Sequence, residues 1–97
     1  MESVKRASED RGQHFFSPGA TGFFNSRYSS YAYKVGDQAY FITSERFSSD
    51  MPRLYTIRVC NLTTGRINTV GEFQEYKTAR EARSALRRIP GLEDLKE

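Results

Sequence analysis

Hydrophobic and polar positions divide the chain into regimes with different periods. Residues 1–14 are polar and charged without a period, which reads as a mobile N-terminal arm. From 15 to 31 two aromatic pairs, Phe15-Phe16 and Phe23-Phe24, flank Pro18, Gly19 and Gly22. Glycine and serine there predict turns and loop rather than helix, with a short strand around 23–27. Next come strand, turn and strand: 31–35, then Gly36-Asp37-Gln38, then 39–45. The second run is rich in aromatic and β-branched residues, with Tyr40 and Ile42 on one face and Phe41 and Thr43 on the other. Residues 48–52 are loop by composition. The clearest strand is 54–60. It sets Tyr55, Ile57 and Val59 on one face and Leu54, Thr56, Arg58 and Cys60 on the other. Gly65 stands where a left-handed residue closes a hairpin. The return, 66–73, alternates through Ile67, Thr69 and Phe73. Val70 falls on the opposite face, so Gly71 is expected to be a bulge.

The period then changes to that of a helix. Thr78 and Glu81 form a capping box, with the hydroxyl first and the carboxylate three residues later. Ala82, Ala85, Leu86 and Ile89 follow at helical spacing, and Pro90-Gly91 ends the helix. Leu92 and Leu95 predict that the tail docks as a last turn. Arg80, Arg83 and Arg87 share a stripe nearly opposite the apolar one. Together these elements predict an α+β fold: an antiparallel sheet of about four strands with one C-terminal helix packed on one face. Ala82, Leu86 and Ile89 make that contact. The domain runs from 15 to 97 and the flexible arm from 1 to 14. The uncovered sheet face, or the 23–33 loop, is the expected working surface. An edge strand at 39–45 would let the chain act as a homodimer instead of a monomer.

Composition narrows the class. Leu, Ile, Val and Phe together number 20 of 97 residues, close to the margin of what an ordered chain needs. Seven Phe and six Tyr move it to the folded side. With so few aliphatics, about two thirds of these rings are expected to be buried. One cysteine excludes an internal disulfide, and one cysteine with one histidine excludes a zinc finger. No apolar run approaches the roughly 20 residues of a membrane span. The N-terminus lacks the apolar core of a signal peptide, so the expected location is the cytoplasm, with no membrane partner. Asn61-Leu62-Thr63 is accordingly read as a turn and not a glycosylation site.

Charge adds a direction. The net charge is +3 and the isoelectric point about 9.2. Residues 1–50 sum to zero, whereas 53–88 hold eight Lys/Arg against three Asp/Glu. That excess is either a solvated face or a patch for nucleic acid or an acidic protein surface.

Candidate chemistry is sparse. His14 lies at the edge of the arm, poorly placed for general-base work. Cys60, near Arg58, reads as a small half-buried hydrophobe. Asp37, Glu45, Asp50, Glu72 and Glu75 show no acid/base spacing, and no glycine loop leads into a helix start. The expectation is a non-enzyme without catalytic residues, metal or cofactor. Tyr28, Tyr31, Tyr33, Tyr40 and Tyr55, with Arg27, Arg46, Arg53 and Arg58, suit either base stacking or protein contacts.

Two resemblances sharpen the partner. The stretch 54–89, with its Thr-Gly turn and Val-Gly-Glu-Phe followed by Thr-Ala-Arg-Glu-Ala-Arg-Ser-Ala-Leu, resembles the hairpin-plus-helix of ethylene-responsive-factor-type DNA-binding domains and related integrase arm-binding domains. That likeness implies a sheet in the major groove, with Arg53, Arg58 and Arg66 facing it. The chain lacks the tryptophans typical of the plant domains and has extra strands before the hairpin.

A wider stretch, 15–89, carries Phe-Phe-Asn-Ser-Arg, Tyr-Phe-Ile-Thr-Ser-Glu and Thr-Gly-Arg-Ile-Asn-Thr-Val-Gly-Glu-Phe-Gln-Glu-Tyr. It resembles small, mostly uncharacterised proteins of phages and mobile elements. That setting implies a non-catalytic inhibitor of a host defence complex, anti-CRISPR or anti-restriction, acting in the host cytoplasm. The basic excess argues against an acidic DNA mimic and for contacts with an acidic or polar patch on an effector protein or nucleoprotein complex. Arg27, Tyr28, Tyr31, Arg53, Arg58, Arg66, Arg80, Arg83 and Arg87 are the partner-binding candidates. The alternative is a nucleic-acid-binding accessory module using the basic hairpin and helix.

Overall fold

The computed structural model describes residues 1–10, 15–29 and 31–95; His14 and Ser30 lie outside them. The order is α1 (Glu2–Asp10), α2 (Pro18–Phe23), β1 (Arg27–Tyr28), β2 (Tyr33–Val35), β3 (Gln38–Glu45), β4 (Leu54–Asn61), β5 (Ile67–Val70), α3 (Ala79–Leu86) and β6 (Glu93–Asp94). The strands form one antiparallel sheet in the order β5-β4-β3-β2-β6, with β1 also pairing β3. The fold is therefore α+β with a C-terminal helix on the sheet. Two of its six strands, β1 and β6, are only two residues long, which is why about four were expected. The Cα radius of gyration, 12.9 Å, matches a single domain of this length.

The frame is the β3–β4 hairpin, two eight-residue strands paired from Gln38↔Asn61 to Glu45↔Leu54. Alternation sends Ile42 and Ile57 to one face, where they pack with Ala82 and Leu86 of α3. Ile89 packs beside them, as its spacing predicts. The helix start is also as predicted: the Thr78 side chain accepts the Glu81 N–H at 3.1 Å. The Glu81 carboxylate returns to the backbone N–H of Lys77, one residue before the cap. Gly65, at φ +75°, closes the β4–β5 turn, and the Asn61 side chain accepts the N–H groups of Thr63 and Thr64.

Several expectations are corrected. Residues 2–10 are a docked helix and not an arm. Met1, Val4, Ala7 and Ser8 repeat at three- and four-residue spacing, and Val4 and Ser8 are fully buried. They lie on the sheet face of Ala39, Phe41 and Cys60, so the face expected to stay open is covered over its centre.

The Pro18–Phe23 segment is helical because Ser17 caps it, accepting the Ala20 N–H at 3.1 Å, and Pro18 is preset for the first helical position. Strand β3 is central, flanked by β4 and by β1 and β2, and so cannot offer a dimer edge. The tail docks as strand β6 against β2 rather than as a turn, with the Leu95 N–H donated to the Ala32 carbonyl. Gly71, at φ +77°, ends β5 instead of bulging it. A Cβ there would run into the Glu75 carboxylate, which accepts the Glu72 N–H.

Phe41 is the single fully buried ring among the described aromatics, so the estimate of two thirds was too high. Two-sided coverage of a small sheet leaves most rings at the margins of the layers, half in contact and half in water.

Candidate functional site

The face beside α3 holds a groove of about 530 Å³. Its construction follows from a break in strand pairing. Arg27 and Tyr28 pair with Ser44 and Thr43. The chain then leaves the sheet and returns at Tyr33, opposite Tyr40. At the break the Ser29 N–H is donated to the Ile42 carbonyl at 2.8 Å, and the Ser29 hydroxyl accepts the Tyr31 N–H at 3.1 Å. This pins the backbone while Tyr31 stands 73% exposed. Across the groove α3 presents Arg83 and Arg87, one turn apart, and Tyr33 and Tyr55 complete the walls. Among the described residues, no carboxylate lines it. Three guanidinium groups and the phenols of Tyr31, Tyr33 and Tyr55 over an apolar floor form a surface for anionic or hydrogen-bonding partners.

Of the nine predicted partner residues, the groove gathers Arg27, Tyr31, Arg83 and Arg87; Tyr28 borders it, but strand alternation turns its ring to the α1 side, edge-on to Phe16 at 5.2 Å and with the Lys5 ammonium 4.6 Å from its centroid. Arg80 is exposed on the same helix but does not line the groove. Arg66 sits at the β4–β5 turn, at the opposite end of β4 from Tyr55. The Arg53 guanidinium is anchored, its Nη1 donating to the carbonyls of Asn25 at 2.9 Å and Ser44 at 3.0 Å.

Arg58 is a correction: its side chain is only 13% exposed and forms an ion pair at 3.0 Å with Glu45, itself 2% exposed. The three arginines expected to face a DNA groove thus do not share a surface. Strand alternation turns Arg58 to the α1 side of the sheet, away from the face that carries Arg53's Ser44 anchor.

Sequence reasoning missed the polar cluster that holds Arg58. Its Nε donates to the Thr43 hydroxyl at 3.0 Å and its Nη1 to the Thr69 hydroxyl at 2.6 Å. Thr43 donates its own O–H to Glu45 Oε1, and Thr56 donates to Oε2 at 3.1 Å. Gln74, at φ +58°, is held by its N–H to the Thr56 hydroxyl and by its amide to the Glu45 carbonyl. The guanidinium also stacks between Phe15 and Phe73, 5.4 and 5.3 Å from their centroids. The signal was a run of polar residues at inward positions, Thr43, Glu45, Thr56, Arg58 and Thr69, on strands whose alternation was otherwise clear.

Burial pushes the Cys60 thiol up, which disfavours the thiolate a nucleophile needs. Nearby Arg58 is turned to Glu45 and does not offset this. Among the described residues, no group of three or more His, Cys, Asp or Glu is placed to hold a metal ion. No described helix is long and apolar enough to cross a membrane.

One family matches, the family of unknown function DUF7447, over residues 1–87. The chain belongs to that family. The match takes in α1, α2, β1 to β5 and α3, together with Arg83 and Arg87 of the groove, and stops before β6. No curated protein and no solved structure matches the chain.

Proposed function

We propose that the protein is a non-catalytic binding module that grips a partner through the tyrosine–arginine groove. In the phage and mobile-element setting that its sequence resembles, the partner is an acidic or polar patch on a host defence effector. The observation that carries this reading is the lining itself. Arg27, Arg83 and Arg87 converge with Tyr31, Tyr33 and Tyr55, and among the described residues no carboxylate of the lining competes for the cations. Tyr and Arg are the side chains that most often dominate binding energy, because each adds area and directed polar contacts at little entropic cost. An acidic patch brought against three arginines that form no ion pair among the described residues gains both steering and register.

The test is paired capture. Wild-type protein and the Arg83→Glu/Arg87→Glu variant are used as bait in cells expressing CRISPR or restriction complexes. The wild type should recover a defence effector and the variant should lose it. Equal recovery by both would remove the groove from the account.

Three phenol rings in the groove also suit a stacked single strand, so a nucleic-acid-binding accessory module is the second reading. Fluorescence anisotropy with single- and double-stranded DNA and RNA separates the two. Binding that weakens steeply with salt supports the second reading, and no binding at micromolar protein eliminates it.

A further inference from the structure

A second pocket, of about 380 Å³, opens at the end of the sheet where β3 stops and β4 begins. Thr21, Asn25 and Ser26 line it together with Arg27, Arg46 and Arg53. Among the described residues it shares only Arg27 with the groove. Register builds the convergence. Arg27 pairs with Ser44 and so lies with it on the α3 face. Arg53 reaches the same residue, its Nη1 donating to the Ser44 carbonyl and hydroxyl as well as to the Asn25 carbonyl. The Arg46 N–H is donated to the Phe24 carbonyl at 3.1 Å, which ties the end of β3 to the segment after α2.

The lining holds three guanidinium groups and, among the described residues, no carboxylate. None of the three forms an ion pair among the described residues. Arg46 is half-buried, and its Nε is fully enclosed without a hydrogen-bond partner there. Buried N–H groups are nearly always satisfied, and a partly desolvated cation without a counter-charge is unfavourable. An anion in the pocket offsets that cost through its charge, whichever N–H groups it meets. Guanidinium edges match oxyanions in two-point contacts, and three of them favour a ligand with more than one negative charge.

We infer that this pocket binds the dianion of a phosphate, as the free ion or as a small monoester. The oxygens meet Arg27, Arg46 and the part of Arg53 left over from its anchor, since Nη1 alone makes the three internal bonds. Small-ligand pockets span roughly 300–1,000 Å³, so there is room beside the phosphate for a small group esterified to it.

Inorganic phosphate and ribose 5-phosphate are titrated into isotopically labelled protein at constant ionic strength, with acetate and ribose as monoanionic and neutral controls. Both phosphates should shift the amide resonances of Ser26, Arg27 and Arg46, with a Kd of about a millimolar. Acetate should bind at least tenfold more weakly, and ribose should cause no shift. Tighter binding of the ester assigns the site to a phosphorylated small molecule, and equal binding assigns it to the free ion. Arg27→Gln and Arg46→Gln each remove a charge-assisted contact and should weaken phosphate about tenfold. Arg46→Lys keeps the charge without the planar fork and should recover part of that loss. Unchanged amide resonances away from the pocket report that each variant keeps the fold.

Absence of any shift at about 10 mM phosphate overturns the inference. So does equal binding of acetate, or unchanged phosphate binding by folded Arg46→Gln. Tyr31→Ala alters the groove without changing its charge and should bind phosphate as the wild type does. Arg46→Gln, in turn, should still capture the groove's partner. The two readings therefore fail separately.

Discussion

Replacing Arg58 with Met keeps most of the side chain's bulk and removes its charge. Glu45 would then be left in the interior with the Thr43 and Thr56 hydroxyls but without its cation. Breaking one partner of a buried pair costs about 3–5 kcal/mol, because the remaining charge stays desolvated and uncompensated. Arg58 retains 13% exposure and two hydroxyl donors remain on Glu45, which places the loss near the lower bound, about 3 kcal/mol. For a domain of this size that lowers the melting temperature by roughly 12–24 °C. In urea, with a slope of about 1.5 kcal/mol/M, the midpoint falls by about 2 M. The Glu45→Leu/Arg58→Met double variant should be more stable than Arg58→Met alone, since it leaves no orphaned charge. A loss below about 1 kcal/mol in the single variant would mean that the carboxylate finds water or other partners, and the buried-pair argument would fail. A double variant less stable than the single would fail it as well.

Two further outcomes follow from the packing. Val4 is fully buried against the sheet, so Val4→Ala should cost about 2 kcal/mol in the same urea titration, whereas an undocked arm would show no change. The raised Cys60 thiol should react with iodoacetamide at pH 8 far more slowly in the folded protein than in denaturant. By linkage, the stability tied to the protonated thiol is present below its unfolded pKa and is lost as pH rises through the folded value. Equal alkylation rates in the two states would place Cys60 at the surface.

What could be read along the chain depended on whether local period and burial agreed. β3, β4 and α3 were legible because Tyr40, Ile42, Ile57 and Val59 alternate, and Ala82, Leu86 and Ile89 recur at helical spacing under a Thr78 cap. α1 was not. Its apolar positions, Val4 and Ala7, with Met1 just before it, are diluted by charged neighbours, and Ser8 fills a buried place that a hydrophobic residue would have marked. α2 was hidden by Gly19 and Gly22, although Ser17 and Pro18 carry the start signal.

At the site, α3 and the 27–31 segment were each recognisable as sources of Arg and Tyr. Their convergence depends on β1 pairing with β3, a long-range contact that no spacing records. The Glu45–Arg58 cluster escaped because charge at an inward strand position reads as a surface residue until the strand's partners are known. The aromatics were misjudged for a related reason. A sheet covered on both sides by short helices has more margin than centre, so rings such as Tyr31 and Phe73 remain exposed.

The groove is the proposed partner contact. The most direct measurement is phage plating efficiency in cells that carry an active CRISPR or restriction system and express the protein. Wild-type protein should restore plating. Tyr31→Ala combined with Arg83→Glu and Arg87→Glu should abolish the restoration while leaving the unfolding free energy from urea titration within about 0.5 kcal/mol of wild type, since all three side chains are exposed. Full restoration by that folded variant would contradict the account and move the contact away from the groove.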